Sequence, residues 1–134
     1  LHQLAGSKQV WELHGSVHRN YCMKCRRPYA VTDIKEGTGV PRCACGGTVK
    51  PDVVLYEEGL DSATIEGAVA DIQAADLLII GGTSLAVYPA AGLINYYRGS
   101  RLVLINKSPT PYDDRASLAI NLPIGEVLGQ ITVR

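Results

Sequence analysis

No apolar run in this chain reaches the roughly 18 to 20 residues that a membrane-spanning helix takes, which argues against a membrane protein of that kind. No charge of one sign dominates: 13 Lys and Arg stand against 13 Asp and Glu, for a formal net charge of zero. That balance speaks against a nucleic-acid binder built on a broadly basic surface, although a local basic patch is still open. There is no internal repeat, no low-complexity stretch and no secretory signal pattern at the start. What is present is ordinary for a globular protein, with 46% hydrophobic and 19% charged residues among 134, enough for one domain with a sizeable core. The first residue is Leu1 rather than Met, so the chain reads as part of something longer.

Four cysteines organise the sequence. Cys22-x-x-Cys25 and Cys43-x-Cys45 are separated by seventeen residues. Two close-spaced pairs let four thiolates converge on one tetrahedral ion, and Zn²⁺ favours sulfur in that arrangement. Two disulfides suit secreted, disulfide-dense domains, and this chain has an ample apolar core instead. A redox pair at Cys22 and Cys25 leaves Cys43 and Cys45 unexplained. Pro28 and Gly46-Gly47 supply the turns that such a knuckle needs. Lys24, Arg26, Arg27 and Arg42 flank the thiolates, either as partial charge compensation or as solvated surface. Four thiolates leave no open position, so the expected site is closed and structural, and it supplies much of the folding energy of residues 20–50. Metal-bound thiolates in turn point to a reducing, cytoplasmic setting.

The rest divides by pattern. Residues 1–19 form a lead-in with a strand-like run at Val10–Leu13, residues 20–50 the zinc module, and residues 51–134 an alternation of strands and helices. Val53–Tyr56 reads as a short strand. Asp61 is an N-cap before a helix with Ile65, Ala68, Val69 and Ile72 at i, i+3, i+4 and i+7. Leu77–Ile80 has the continuous apolar character of a buried parallel strand. Pro89 suits the first turn of a second helix with Ala90, Leu93, Ile94 and Tyr97 on one face and Gly99 as its stop. Leu102–Ile105 and Leu118–Ile120 read as further strands, and Ile124–Ile131 as a last helix. This β-α-β-α-β order implies an α/β fold with a parallel sheet and right-handed crossovers.

In such sheets ligands bind beyond the carboxyl ends of the strands, here at Gly81–Ser84, Asn106–Lys107 and the Pro123–Gly125 turn. A Gly-Gly turn or an Asn at a strand end is by itself equally an ordinary turn. His14 is the strongest catalytic candidate, because an imidazole can accept a proton from a hydroxyl near neutral pH. A histidine between Leu13 and Gly15 also suits a purely structural role.

Taken in order, Glu12-Leu13-His14-Gly15-Ser16, the two cysteine pairs, Lys50-Pro51-Asp52-Val53-Val54-Leu55-Tyr56-Glu57-Glu58, Gly81-Gly82-Thr83-Ser84-Leu85, Val87-Tyr88-Pro89-Ala90 and Ile105-Asn106-Lys107 resemble a bacterial-type sirtuin, an NAD-dependent protein deacylase. The resemblance spans essentially the whole chain. It implies the distal half of a Rossmann-like NAD-binding domain with an inserted Cys₄ zinc module, and an acyl-lysine protein or peptide as partner. It implies that the acyl oxygen attacks the nicotinamide ribose and releases nicotinamide. His14 then acts as general base on a ribose hydroxyl, and the products are free lysine and an O-acyl-ADP-ribose. Gly82, Thr83, Ser84, Asn106, Lys107 and Ile124 are implied to line the NAD site. Val53, Val54, Leu55, Tyr56 and Glu57, with Leu85, Val87 and Tyr88, are implied to hold an extended peptide by strand addition. Cys22, Cys25, Cys43 and Cys45 are the zinc ligands.

The family's N-terminal half, with its Gly-Ala-Gly pyrophosphate turn, its cofactor loop and its Gln-Asn-Ile-Asp segment, has no counterpart in these residues. The expectation is therefore that the fragment is inactive alone and self-associates through the sheet surface it exposes. Tyr56-Glu57-Glu58 also departs from the family's Phe-Gly-Glu. The alternative reading, from another class, is a non-catalytic zinc-ribbon interaction module.

Overall fold

The computed structural model describes residues 1–132, so the two final residues of the expected 51–134 segment lie outside the described residues. Two compact units follow one another, Leu1–Ile65 and Glu66–Arg134.

The first unit is built on an antiparallel sheet of order β2-β1-β3, from β1 (Gly15–Cys22), β2 (Pro28–Ala30) and β3 (Val49–Val53). A single-turn helix, α1 (Val31–Lys35), follows β2, and the Asp33 carboxylate accepts the Ala30 N–H at its start. The β1–β3 ladder pairs Gly15 with Val53 and Ser16 with Asp52, then slips before pairing Asn20 with Pro51 and Cys22 with Val49. Val17–Arg19 bulge out at the slip, and the Asn20 side-chain amide donates to the Val17 carbonyl to close it.

Two strand expectations are corrected here. Val10–Leu13 is not a strand: the Gly15 N–H turns back onto the Glu12 carbonyl at 2.8 Å, and the ladder begins only at Gly15. The expected Val53–Tyr56 strand is displaced to Val49–Val53. Pro51 sits inside it, which an edge strand tolerates because one row of its groups faces away from the ladder.

Helix α2 (Ser62–Ala74) carries the chain into the second unit. Asp61 caps it as its position suggests, accepting both the Thr64 N–H and the Thr64 hydroxyl at 2.8 Å. The second unit holds a parallel sheet of order β4-β5-β6, from β4 (Leu78–Gly81), β5 (Leu102–Ile105) and β6 (Leu118–Ile120). Its core is Leu85, Ile94, Leu102 and Leu104, with Leu78, Ile80, Tyr97 and Tyr112 packed against it.

β5 is buried as a parallel strand should be, but β4 is not: its residues alternate, and Ile79 is 50% exposed on the face away from that core. The expected helix after Pro89 is a 3-10 segment, Ala90–Tyr96, entered through a cis Tyr88–Pro89 peptide and ended by Tyr97 rather than Gly99. Gly92 and the β-branched Ile94 both weaken α-helical winding there. The last helix, α3 (Ile124–Leu128), is shorter than expected because Gly129 closes it.

Candidate active site

In the first unit, β1 and β3 set His14 beside Val53 and Val54. The His14 carbonyl accepts the Val54 N–H at 3.1 Å, one step beyond the Gly15–Val53 pair. Gly15 has φ +75°, and a Cβ there would lie 1.8 Å from the Asp52 carbonyl oxygen, so only glycine lets the strands meet at this point. The His14 imidazole is exposed, while Ser16 is buried and accepts the His18 N–H at 3.2 Å. Arg19 bridges the segment before His14 to β3, reaching Asp52 at 2.9 Å and Glu12, whose other carboxylate oxygen accepts from Gln3. The Arg19 guanidinium holds the Glu12 carboxyl below the usual range.

Beyond Val53 the chain makes a tight loop. Leu55 is exposed, Tyr56 is fully exposed, and Glu57 takes φ +69°. The Glu58 N–H donates to the Leu55 carbonyl, and the Glu58 carboxylate accepts the Leu55 N–H at 2.9 Å.

The four cysteines converge. Their sulfurs all lie within 4.8 Å of one another, with Cys22–Cys45 at 3.5 Å and Cys25–Cys43 at 3.6 Å. Four sulfurs at about 2.3 Å from one ion have edges of roughly 3.8 Å. These separations fit that tetrahedron and are far longer than a disulfide of about 2.05 Å. Cys22 and Cys43 are buried with Val49, and Tyr29 and Ile34 pack on them, which is little core for a module of this size. A Cβ on Gly47 would lie 2.6 Å from the Cys22 sulfur, so that turn is closed tightly over the site.

The thiols are not equivalent. The Cys25 N–H holds Cys22 below its ordinary value. The Cys45 N–H and the Tyr29 hydroxyl bring Cys43 down to about 6. The Gly47 N–H pulls Cys45 down, but the three neighbouring sulfurs outweigh it and push it up to about 11. Four thiolates so close together need a cation to share their charge, and the cluster offers a zinc ion four ligands. Two of the flanking basic residues are engaged elsewhere: Arg26 stacks over the Tyr21 ring at 3.9 Å, and Arg42 donates to Thr48.

In the second unit, three expected cofactor positions meet at the carboxyl ends of the strands. The Gly82 N–H donates to the Ile105 carbonyl and extends the β4–β5 ladder. Asn106 follows β5, its N–H on the Ile120 carbonyl and its side-chain amide donating to Ser108 at 2.8 Å. The Ile124 side chain lies against Gly81. Thr83, Ser84 and Lys107 are exposed there, and the Thr83 hydroxyl accepts the Leu85 N–H. Leu85 differs from the other expected peptide residues: its side chain is a buried member of the core, at φ +52°. Val87 and Tyr88 are exposed, and the Tyr88 hydroxyl lies 3.3 Å from that of Tyr112.

A family model described as the Sir2 family matches residues 1–89. The chain belongs to the Sir2 family. It is 65% identical over 133 residues to an NAD-dependent protein deacetylase of Clostridium perfringens, covering 98% of this chain and 54% of the relative. It is 62% identical over 130 residues to one of Clostridium acetobutylicum, covering 96% of this chain and 53% of the relative. A solved Sir2 structure with a p53 peptide and NAD⁺ matches 97% of this chain and 57% of its own, at 41% identity and a TM-score of 0.87. The chain thus spans about half the length of the curated relatives it matches. The mixed α/β fold with a parallel sheet and a four-cysteine cluster is that of a Sir2 protein.

Sequence reasoning assigned no role to three groups that shape the site. The Tyr29 hydroxyl serves Cys43, and Lys50 and Glu58 clasp the loop after β3. In the sequence the last two are ordinary charges on either side of the Val53–Glu57 segment, with nothing to mark them as partners.

Proposed function

We propose that residues 1–134 form the zinc module and the distal NAD-binding portion of an NAD-dependent protein lysine deacylase. The observation that carries this reading is the union of His14 with Val53 and Val54 across one short ladder, in a Sir2 chain: the base sits next to an apolar wall. His14 accepts a proton from a ribose hydroxyl, and the general-base step needs only an imidazole within reach. Val53 and Val54 wall the acyl-lysine. In the first unit, Val53–Glu57 offers an extended peptide main-chain groups beside the exposed Leu55 and Tyr56. Gly82, Thr83, Ser84, Asn106, Lys107 and Ile124 line the cofactor site, where NAD supplies an activated nicotinamide ribose. Zinc held by Cys22, Cys25, Cys43 and Cys45 is structural, since the four thiolates take every tetrahedral position. The relatives' name makes acetyl-lysine the first substrate to try.

The free thiols favour a reducing, cytoplasmic location. Residues 1–134 alone do not complete the reaction, and they self-associate through β4, an edge strand on which Ile79, and Leu77 just before it, are half-exposed. Sedimentation of this chain tests the last point, and a monomer at all concentrations contradicts it. The function is tested by mass spectrometry on the full-length protein with an acetyl-lysine peptide and NAD. Free lysine and O-acetyl-ADP-ribose in equal amounts support it, and acetyl loss without NAD overturns it.

A further inference from the structure

The loop after β3 is held by a clasp that the reaction itself does not explain. The Lys50 ammonium donates to the Val53 carbonyl and to the Glu58 carboxylate, each at 2.9 Å. The same Glu58 oxygen accepts the Leu55 N–H. The Lys50 side chain is only 14% exposed, which restricts the geometry it can adopt. The clasp engages particular main-chain groups. The Val53 carbonyl goes to Lys50, the Val54 N–H to His14, the Leu55 N–H to Glu58, and the Leu55 carbonyl to the Glu58 N–H. Among the described residues, the Val54 carbonyl, the Tyr56 N–H and carbonyl and both main-chain groups of Glu57 have no such partner, and of these the Val54 carbonyl and the Tyr56 N–H stand on either side of Leu55 at the two-residue spacing at which an added strand pairs.

An extended peptide that adds to this segment must pair with main-chain groups that are left over. We infer that Lys50 and Glu58 are positioning residues for the acyl-lysine peptide: they fix the loop and decide that the Val54 carbonyl and the Tyr56 N–H are the groups that receive it. The inference rests on the deacylase reading of this site. It also explains how Tyr56 and Glu57 can replace the family's Phe-Gly here. The loop's shape is set from Lys50 and Glu58, on either side of the replaced residues.

The test is steady-state kinetics on the full-length protein with an acetyl-lysine peptide. Glu58→Ala removes the acceptor of the Leu55 N–H and the partner of Lys50. It is expected to raise the peptide KM on the order of tenfold, the size of one charge-assisted hydrogen bond, while the KM for NAD and the zinc content hold. Glu58→Gln keeps a carbonyl acceptor and is expected to recover most of the peptide affinity. The swap Lys50→Glu with Glu58→Lys restores opposite charges but offers Leu55 no acceptor, and it is expected to stay as weak as Glu58→Ala. A peptide KM within twofold of the unmodified protein in Glu58→Ala, or full recovery in the swap, overturns the inference. An unmodified protein that binds NAD but never turns over the peptide overturns the deacylase reading instead.

Discussion

At Gly15 a single methyl group decides whether His14 can be where it is. The Cβ of an alanine would lie 1.8 Å from the Asp52 carbonyl oxygen, so Gly15→Ala must push β1 from β3 at the one point where the histidine meets Val54. The expected outcome is loss of peptide deacetylation in the full-length protein, with zinc near one equivalent per chain because the cysteines lie at the far end of the ladder. Glu58 gives a pH prediction. Lys50 and the Leu55 N–H hold its carboxyl below the ordinary glutamate value, so its stabilising effect is present above that ordinary value and is lost as pH falls through its own lower one. Unfolding followed by urea from neutrality into the acid range should show this limb, and Glu58→Gln should flatten it. The cysteine cluster was legible because few residue types pair at that spacing, and the four sulfurs do converge. Lys50 and Glu58 were not, since a charge pair reveals its partners only once the loop between them is folded.

At the scale of elements, β5 and β6 and the Asp61 cap were legible to the residue. Continuous apolar runs, and a carboxylate just before a helix that reaches the N–H three residues on, have few other readings. Val10–Leu13 and Val53–Tyr56 misled because strand character in a short run says nothing about which stretch finds a partner. β3 is defined by its register against β1, Pro51 included. The depth of the parallel core is testable at Leu104, which is 2% exposed. Leu104→Ala should cost about 2–5 kcal/mol in denaturant unfolding. The zinc module's buried apolar cluster has three members, Cys22, Cys43 and Val49, and so depends on its metal. Chelation, or Cys43→Ser, is expected to abolish amide protection in β1, β2 and β3 while the β4–β6 amides keep theirs, as read by hydrogen exchange.

For the whole molecule, the decisive fact is span. The family's ordered motifs were legible through nearly all of the chain, and the relatives are about twice as long. What the sequence could not show is the half-exposed β4: four apolar residues in a row look equally buried whether or not both faces of their sheet are covered. Calorimetry with NAD on residues 1–134 is expected to show no binding at concentrations that saturate the full-length protein. Saturable binding would mean that these residues, or an assembly of them, suffice for the cofactor. In the proposed reaction His14 is the base of an NAD-dependent deacylation. The most direct test of that step is formation of free lysine and O-acetyl-ADP-ribose from NAD and an acetyl-lysine peptide by the full-length protein, compared with its His14→Ala variant at equal zinc content. Product formation is expected to fall at least about a hundredfold, the usual worth of a general base. Undiminished deacetylation by the variant would contradict that role.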